Sequence, residues 1–300
     1  MPSWIEVAVR DACLDELQAL KPGNVHVHAA GVDALLADFT HSAAVAAVAL
    51  CNGPPGVGAR ILRAVRATRD AVGHNTNLGI VLLAAPLAEA VLNPPPPAEG
   101  ADAGAAPLRA VLARVLAGLT RADADAAFRA IALAAPAGLG RPAAHDVHEP
   151  ARVTLLEAMR AAAGRDRVAA QYATAYAEVF EAGLPRLAAA LDAGVPAPWA
   201  ATAVHLGFLA DGPDSHILRK HGAATAATVC GEAADLERRR RDHGGDPRPL
   251  AAALRRFDAA LRGDGLNPGT CADLTVATLL ARRIEKSFFG LSSNYIPSET

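Results

Sequence analysis

Three hundred residues, 52% of them apolar, suffice for a large buried core in one large domain or two small ones. A formal charge of −2 and only 4% aromatic residues exclude a nucleic-acid surface built on a basic field or on base stacking. Cys13, Cys51, Cys230 and Cys271 show neither metal-ligand nor redox spacing, which fits small buried hydrophobes in a reduced, cytoplasmic setting. No secretory h-region opens the chain and no uninterrupted apolar stretch reaches spanning length, so no membrane partner is expected.

Ala- and Leu-rich patterns of period 3.6 recur throughout, with no run of alternating β-branched residues. The prediction is an all-α fold: a single globular multi-helix domain over 1–300 with buried central helices. Helices are predicted over 4–20, 33–51, 55–72, 77–92, 106–118, 123–134, 152–163, 165–181, 184–193, 196–210, 215–229, 231–241, 248–262 and 268–288.

The first helix carries Glu16 near its end and runs into KPGNVHVH, residues 21–28. Pro22 and Gly23 force a turn, so Lys21 sits at a helix end beside backbone that Gly23 leaves open to close approach. A lysine so placed either supplies a point charge to a phosphate or offsets the helix dipole. His26 and His28 have no third metal-ligating partner nearby, so surface or hydrogen-bonded roles are predicted. Asp33 either caps the next helix or faces the same cleft.

HNTNLGIVLLAAPL, residues 74–87, is the stretch that organises the chain. Asn75, Thr76 and Asn77 are all good caps, and from Ile80 to Ala85 every residue is apolar, so this helix belongs inside the protein. A buried helix start leaves backbone donors without water, and a bound phosphate or carboxylate satisfies them. Gly79 removes a side chain where such a group would approach, and Pro86 kinks the helix. The plainer alternative is a capped core helix with ordered water at its end.

NPPPPAEGADAGAAP, residues 93–107, is too polar and proline-rich to pack and is read as an exposed, mobile loop. HDVHE, residues 145–149, reverses and shortens the HExxH pattern and is read as a polar loop in preference to a metal site. In DGPDSHILRKHG, residues 211–222, Asp214 is an N-cap with Arg219 and Lys220 one turn on, the residue types a polyphosphate site needs. The run Arg238–Arg241, flanked by acids, reads as a solvated helix end. NPGTCADLTVATLLA, residues 267–281, repeats the logic of a polar helix start: Asn267 as cap, Pro268 at the first helical position, then Asp273 facing a core.

The ordered set Glu16, KPGNV, NTNLG, the segment from Asp214 to Gly222, and NPGTCADL resembles the triphosphoribosyl-dephospho-coenzyme A synthase family, which makes the prosthetic-group precursor of citrate lyase and malonate decarboxylase. The resemblance spans nearly the whole chain and rests on the order and spacing of short motifs. It implies an all-helical, magnesium-dependent transferase in which the 2′-hydroxyl of dephospho-coenzyme A attacks the ribose C1 of ATP and adenine leaves. By the same resemblance Lys21, Gly23, Asn24, Asn75, Thr76, Asn77 and Gly79, with Arg219 and Lys220, hold phosphate, and Asp214 and Asp273 hold Mg2+. Glu16 or Asp33 acts as base or cation stabiliser, with Lys21 among the catalytic residues.

The chain departs from the citrate-lyase branch at VHAAGVDAL, at Asn77 with Leu78, and at Lys220, His221 and Gly222. KPGNVH and NTNLGI look like a branch linked to one-carbon pathways, so an acceptor in tetrahydromethanopterin or methanofuran synthesis is the leading alternative. A non-catalytic nucleotide-binding scaffold is a further one. The alanine-rich helices are compatible with a homodimer, although no heptad seam specifies it.

Overall fold

Alanine and leucine at helical spacing make 75% of the described residues helical, with no strand among them; those residues are 3–96, 107–135 and 146–288 of a computed structural model. The α-helices are α1 (Trp4–Gln18), α2 (Asp33–Cys51), α3 (Val57–Val72), α4 (Leu78–Leu92), α5 (Leu108–Ala117), α6 (Arg121–Ala134), α7 (Leu155–Ala162), α8 (Arg167–Thr174), α9 (Leu184–Asp192), α10 (Ala197–Asp211), α11 (Ser215–His221), α12 (Ala223–Asp242), α13 (Ala251–Gly263) and α14 (Gly269–Phe288). A π-helical turn, Glu178–Gly183, precedes α9, and a 3-10 turn, Arg248–Leu250, precedes α13.

The apolar stretch after Gly79 becomes α4, a helix buried on every side, with α2, α3, α5, α8 and α14 packed around it. Pro86 lacks the N–H that would serve the Leu82 carbonyl four residues earlier. The Tyr172 hydroxyl donates to that carbonyl at 2.6 Å, and the Tyr176 hydroxyl donates to the Leu83 carbonyl at 2.9 Å. The carbonyl that the buried proline leaves without its helical donor is thereby satisfied.

Those tyrosines explain one difference from the predicted elements. The helix expected over 165–181 breaks at Ala175 and Tyr176, both with positive φ (49° and 59°), and the backbone turn brings Tyr176 to α4. Left-handed backbone at a residue with a Cβ is strained. Ala175→Gly is therefore expected to stabilise the protein by about 0.5–1 kcal/mol, read as a Tm rise of about 2–3 °C.

The second difference lies at the late helices, where the break falls at Gly222 (φ 88°) and α12 runs on through Gly231. The left-handed backbone at Gly222 ends α11, whereas Gly231 sits exposed in mid-helix at only a propensity cost. In the arginine run Arg240 is buried and paired with Glu237 at 2.7 Å, so that end of α12 is only partly a solvated one.

Among the described residues one helix, α2, with 19 residues and a mean hydropathy of 1.6, is long and apolar enough to cross a membrane by length and composition alone, although Asp33, Asp38 and His41 interrupt its apolar sequence. It packs between α1 and α3, and its Asp38 and Ser42 bond to His74 and Thr76 of the polar stretch before α4. Most of the proline-rich segment, 97–106, and His145 of HDVHE lie outside the described residues.

Candidate active site

The starts of α4, α8, α11 and α14 meet at a cavity of about 850 Å³. Two polar braces hold these ends together. Asp214 accepts the N–H groups of His216 (2.8 Å) and Ile217 (3.1 Å) through one oxygen and that of Cys271 (2.8 Å) through the other, tying α11 to α14. Arg167, in the first turn of α8, donates to the Phe208 carbonyl at 2.9 Å and approaches the Cys271 sulfur at 3.4 Å, tying α8 to α10 and α14.

At α4 the cap is Asn75, whose Oδ1 accepts the Leu78 N–H at 3.0 Å; Asn77 is the N-cap residue but makes no side-chain capping bond. Thr76 donates to Ser42 at 2.7 Å. The N–H groups of Gly79 and Ile80 find no acceptor among the described residues. The carboxylate of Asp273 lies against the Cα of Gly79: a Cβ there would stand 1.9 Å from Asp273 Oδ2. Gly79 thus makes room for an acid of the protein itself, where the sequence suggested room for a bound anion.

The KPGN turn forms the neighbouring wall. Lys21 is fully buried and does not line the cavity; its Nζ donates to Glu16 and, at 3.0 Å, to Asn24 Oδ1. Glu16, only 3% exposed, and Asn24 do line it, and Asn24 donates to Asn267 at 2.7 Å. Behind them Asp258 accepts the Gly23 N–H at 2.8 Å and the Arg262 side chain at 2.9 Å, and Arg262 also reaches the Asn24 carbonyl. Gly23 has φ of 79°, and a Cβ there would meet the Leu266 carbonyl at 2.8 Å, so its task is the turn and close packing. His26 is buried beside Asp258, while His28 meets the Gln18 carbonyl at 2.9 Å.

Burial pushes the Asp273 carboxyl well above the usual carboxylate range, and the nearby charges of Asp214, Glu16 and Asp166 push it further. Burial likewise raises Glu16 and lowers Lys21, each effect opposed by the partner's charge. The site therefore gathers acids that burial and mutual repulsion push toward their neutral forms, beside one buried lysine.

Of the residues singled out in the sequence, Glu16, Asn24, Asn75, Thr76, Asn77, Gly79, Arg219 and Asp273 come together at the cavity. Asp33 is exposed in the first turn of α2 and Lys220 is exposed on α11, and neither lines it. Asp214 is wholly buried, does not line the cavity, and has both oxygens on backbone amides that tie α11 to α14. Sequence reasoning missed Asp166, which caps α8 and pairs with Arg219 at 3.5 Å, together with His216, Arg165 and Arg69. Asp166 carries a visible N-cap signal before RVAAQY, but nothing in it marks the residue as facing a cavity.

No curated protein matches the chain significantly. A crystal structure from Archaeoglobus fulgidus, provisionally described as a triphosphoribosyl-dephospho-CoA synthase, shares the fold at a TM-score of 0.60 and 20% identity, covering 82% of this chain and 97% of the other. The sequence profile of the ATP:dephospho-CoA triphosphoribosyl transferases matches residues 2–289. With nearly every residue inside that match, and the helix starts it spans converging on one cavity, the chain belongs to the ATP:dephospho-CoA triphosphoribosyl transferase (CitG) family.

Proposed function

We propose that the cavity is where the triphosphoribosyl group of ATP passes to an acceptor hydroxyl, with adenine leaving. The family makes the chain an ATP-using transferase of cofactor biosynthesis, and ATP and dephospho-CoA are the small-molecule substrates that fit it. The observation that carries the siting is the pairing of unbonded α4 amides with the buried acid Glu16 and the half-buried acid Asp273 in one cavity. Amides at a helix start favour phosphate, and buried carboxylates favour the cationic ribosyl group of the transition state.

The acceptor oxygen forms a bond to C1 of the ribose as the bond from C1 to N9 of adenine breaks, its electrons passing to the base. Glu16 takes the hydroxyl proton, held in place by Lys21. Asp273 sets negative charge beside the ribose as positive charge develops there. Adenine takes up a proton from water, relayed by the imidazole of His216, which burial holds below the usual histidine range and so leaves neutral at rest. Arg219 and Arg165, both beside Asp166 at the cavity wall, hold the triphosphate together with the amides of Gly79 and Ile80.

Magnesium suits this donor set. No group of three or more metal-ligating side chains forms a closed cage among the described residues, and magnesium on a polyphosphate needs only one or two carboxylates beside the phosphates. Asp273, crowded by Glu16, Asp214 and Asp166, is a carboxyl that a cation would relieve. Asp273 and Asp166 would hold the ion, which supplies the positive charge that lets these acids and a triphosphate share one cavity. The reaction belongs in the cytoplasm, where cysteines that form no disulfide stay reduced.

Leu78 lines the cavity where the citrate-lyase branch pattern carries a basic residue, and this favours a second reading, the same transfer to a precursor of a one-carbon cofactor. Pure protein incubated with ATP, magnesium and each acceptor in turn is expected to release adenine in step with ATP consumed. ADP in place of adenine would overturn the transfer. Adenine without any acceptor would show a hydrolase using water.

A further inference from the structure

A triphosphate and its ribose occupy only the polar side of the cavity. At one rim Arg69 ends α3 and donates to the Leu133 carbonyl of α6; at the other, α7 runs into Arg165 and Asp166 at the start of α8. Between these rims the wall is Phe128 and Ile131 of α6 and Leu155 and Met159 of α7, with Leu82 and Val168 beside them. None of these six side chains bears a charge or a strong hydrogen-bonding group. Apolar wall turned to an open cavity gains nothing from water and marks where a ligand presents an uncharged face.

A second observation narrows the ligand. Ala134 and Ala135, at the carbonyl end of α6, line the same cavity. That end of a helix carries partial negative charge, offset in part where Arg69 takes the Leu133 carbonyl, and it suits an N–H group. Phe128 offers a flat face and Met159 a polarizable thioether, both favourable against an aromatic ring.

We infer that this lobe binds an uncharged, amino-substituted heteroaromatic ring, with Phe128 and Met159 against its face and the end of α6 toward its amine. The inference rests on the proposed transfer, which supplies two sources of such a ring: the adenine of ATP and the base of a nucleotide-bearing acceptor. Both bring the same chemistry to the wall, and binding measurements separate them.

Two variants test it. Ala158→Phe adds bulk to a lining residue of α7 and removes no core side chain, while Met159→Gln keeps the volume and makes the wall polar. Calorimetry measures tripolyphosphate, ATP, ITP and dephospho-CoA separately, with circular dichroism to establish the fold. Both variants are expected to bind tripolyphosphate within twofold of the unmodified protein and to lose at least tenfold in affinity for one nucleotide. Loss for ATP, together with ITP binding more weakly than ATP to the unmodified protein, identifies the donor base. Loss for dephospho-CoA alone identifies the acceptor base. Two folded variants with unchanged affinity for both nucleotides would overturn the lobe assignment. Unmodified protein that binds the nucleotides but not tripolyphosphate would overturn the triphosphate placement instead, so the two failures are distinguishable.

Discussion

Gly79→Ala is expected to cost at least about 100-fold in kcat/KM while the protein stays folded, because displacing a reacting group by about 1 Å is enough for such a loss. The new Cβ would stand 1.9 Å from Asp273 Oδ2 and 2.4 Å from its Cγ, so the carboxylate has to swing away from the start of α4. For folding the change is mild. Alanine improves helix propensity by about 1 kcal/mol, and crowding costs about 1–3 kcal/mol, partly relieved because a carboxylate end can move. For the reaction it is severe, since the acid beside the ribose is the group that moves. Steady-state kinetics beside a thermal melt separates the two. In an Asp273→Ala background, Gly79→Ala should cost little further activity, as expected of residues that act through one contact. Additive losses in that double variant would show that Gly79 serves another purpose, such as direct approach of a phosphate.

The organising role of α4 is legible in the sequence because it follows from local facts: polar caps, one glycine and an unbroken apolar run. The chemistry of individual residues depends on partners far along the chain, and there the reading is incomplete. Lys21 presents itself as a phosphate ligand, yet its ammonium is spent on Glu16 and Asn24 inside the wall. Asp214 has the signature of a cap and of a metal ligand; the cap is what it does, since Cys271, 57 residues on, takes its second oxygen. Asp273 is correctly marked as an acid near a helix start, but its neighbour Gly79 is nearly two hundred positions away and no spacing rule links them. The break at Ala175 is invisible to periodicity, because it accompanies long-range contacts: two tyrosine hydroxyls reach α4, Tyr172 at the Leu82 carbonyl that Pro86 sets free and Tyr176 at the next carbonyl, Leu83. Asp33 and Lys220 show the converse: plausible residue types on helices whose turn happens to face solvent.

The buried pair of Lys21 and Glu16 should separate stability from activity. Lys21→Met leaves Glu16 in the protein interior without its cation, and breaking a buried pair from one side costs about 3–5 kcal/mol. Some of that is relieved because burial already pushes Glu16 toward its neutral form, so about 3 kcal/mol is expected, a Tm drop of about 6–10 °C. Removing both charges in Lys21→Met/Glu16→Leu should recover most of the lost stability, since an apolar pair replaces a desolvated ionic one. Activity should not recover with it. Loss of a base costs about 100- to 10,000-fold, and the double variant has no carboxylate at that wall to accept the hydroxyl proton. A thermal melt and an adenine-release assay on the same three proteins decide the matter. If turnover returned along with the melting temperature, Glu16 would be a partner of Lys21 only, and proton removal would have to be assigned to Asp273 or Asp166, the other carboxylates at the cavity.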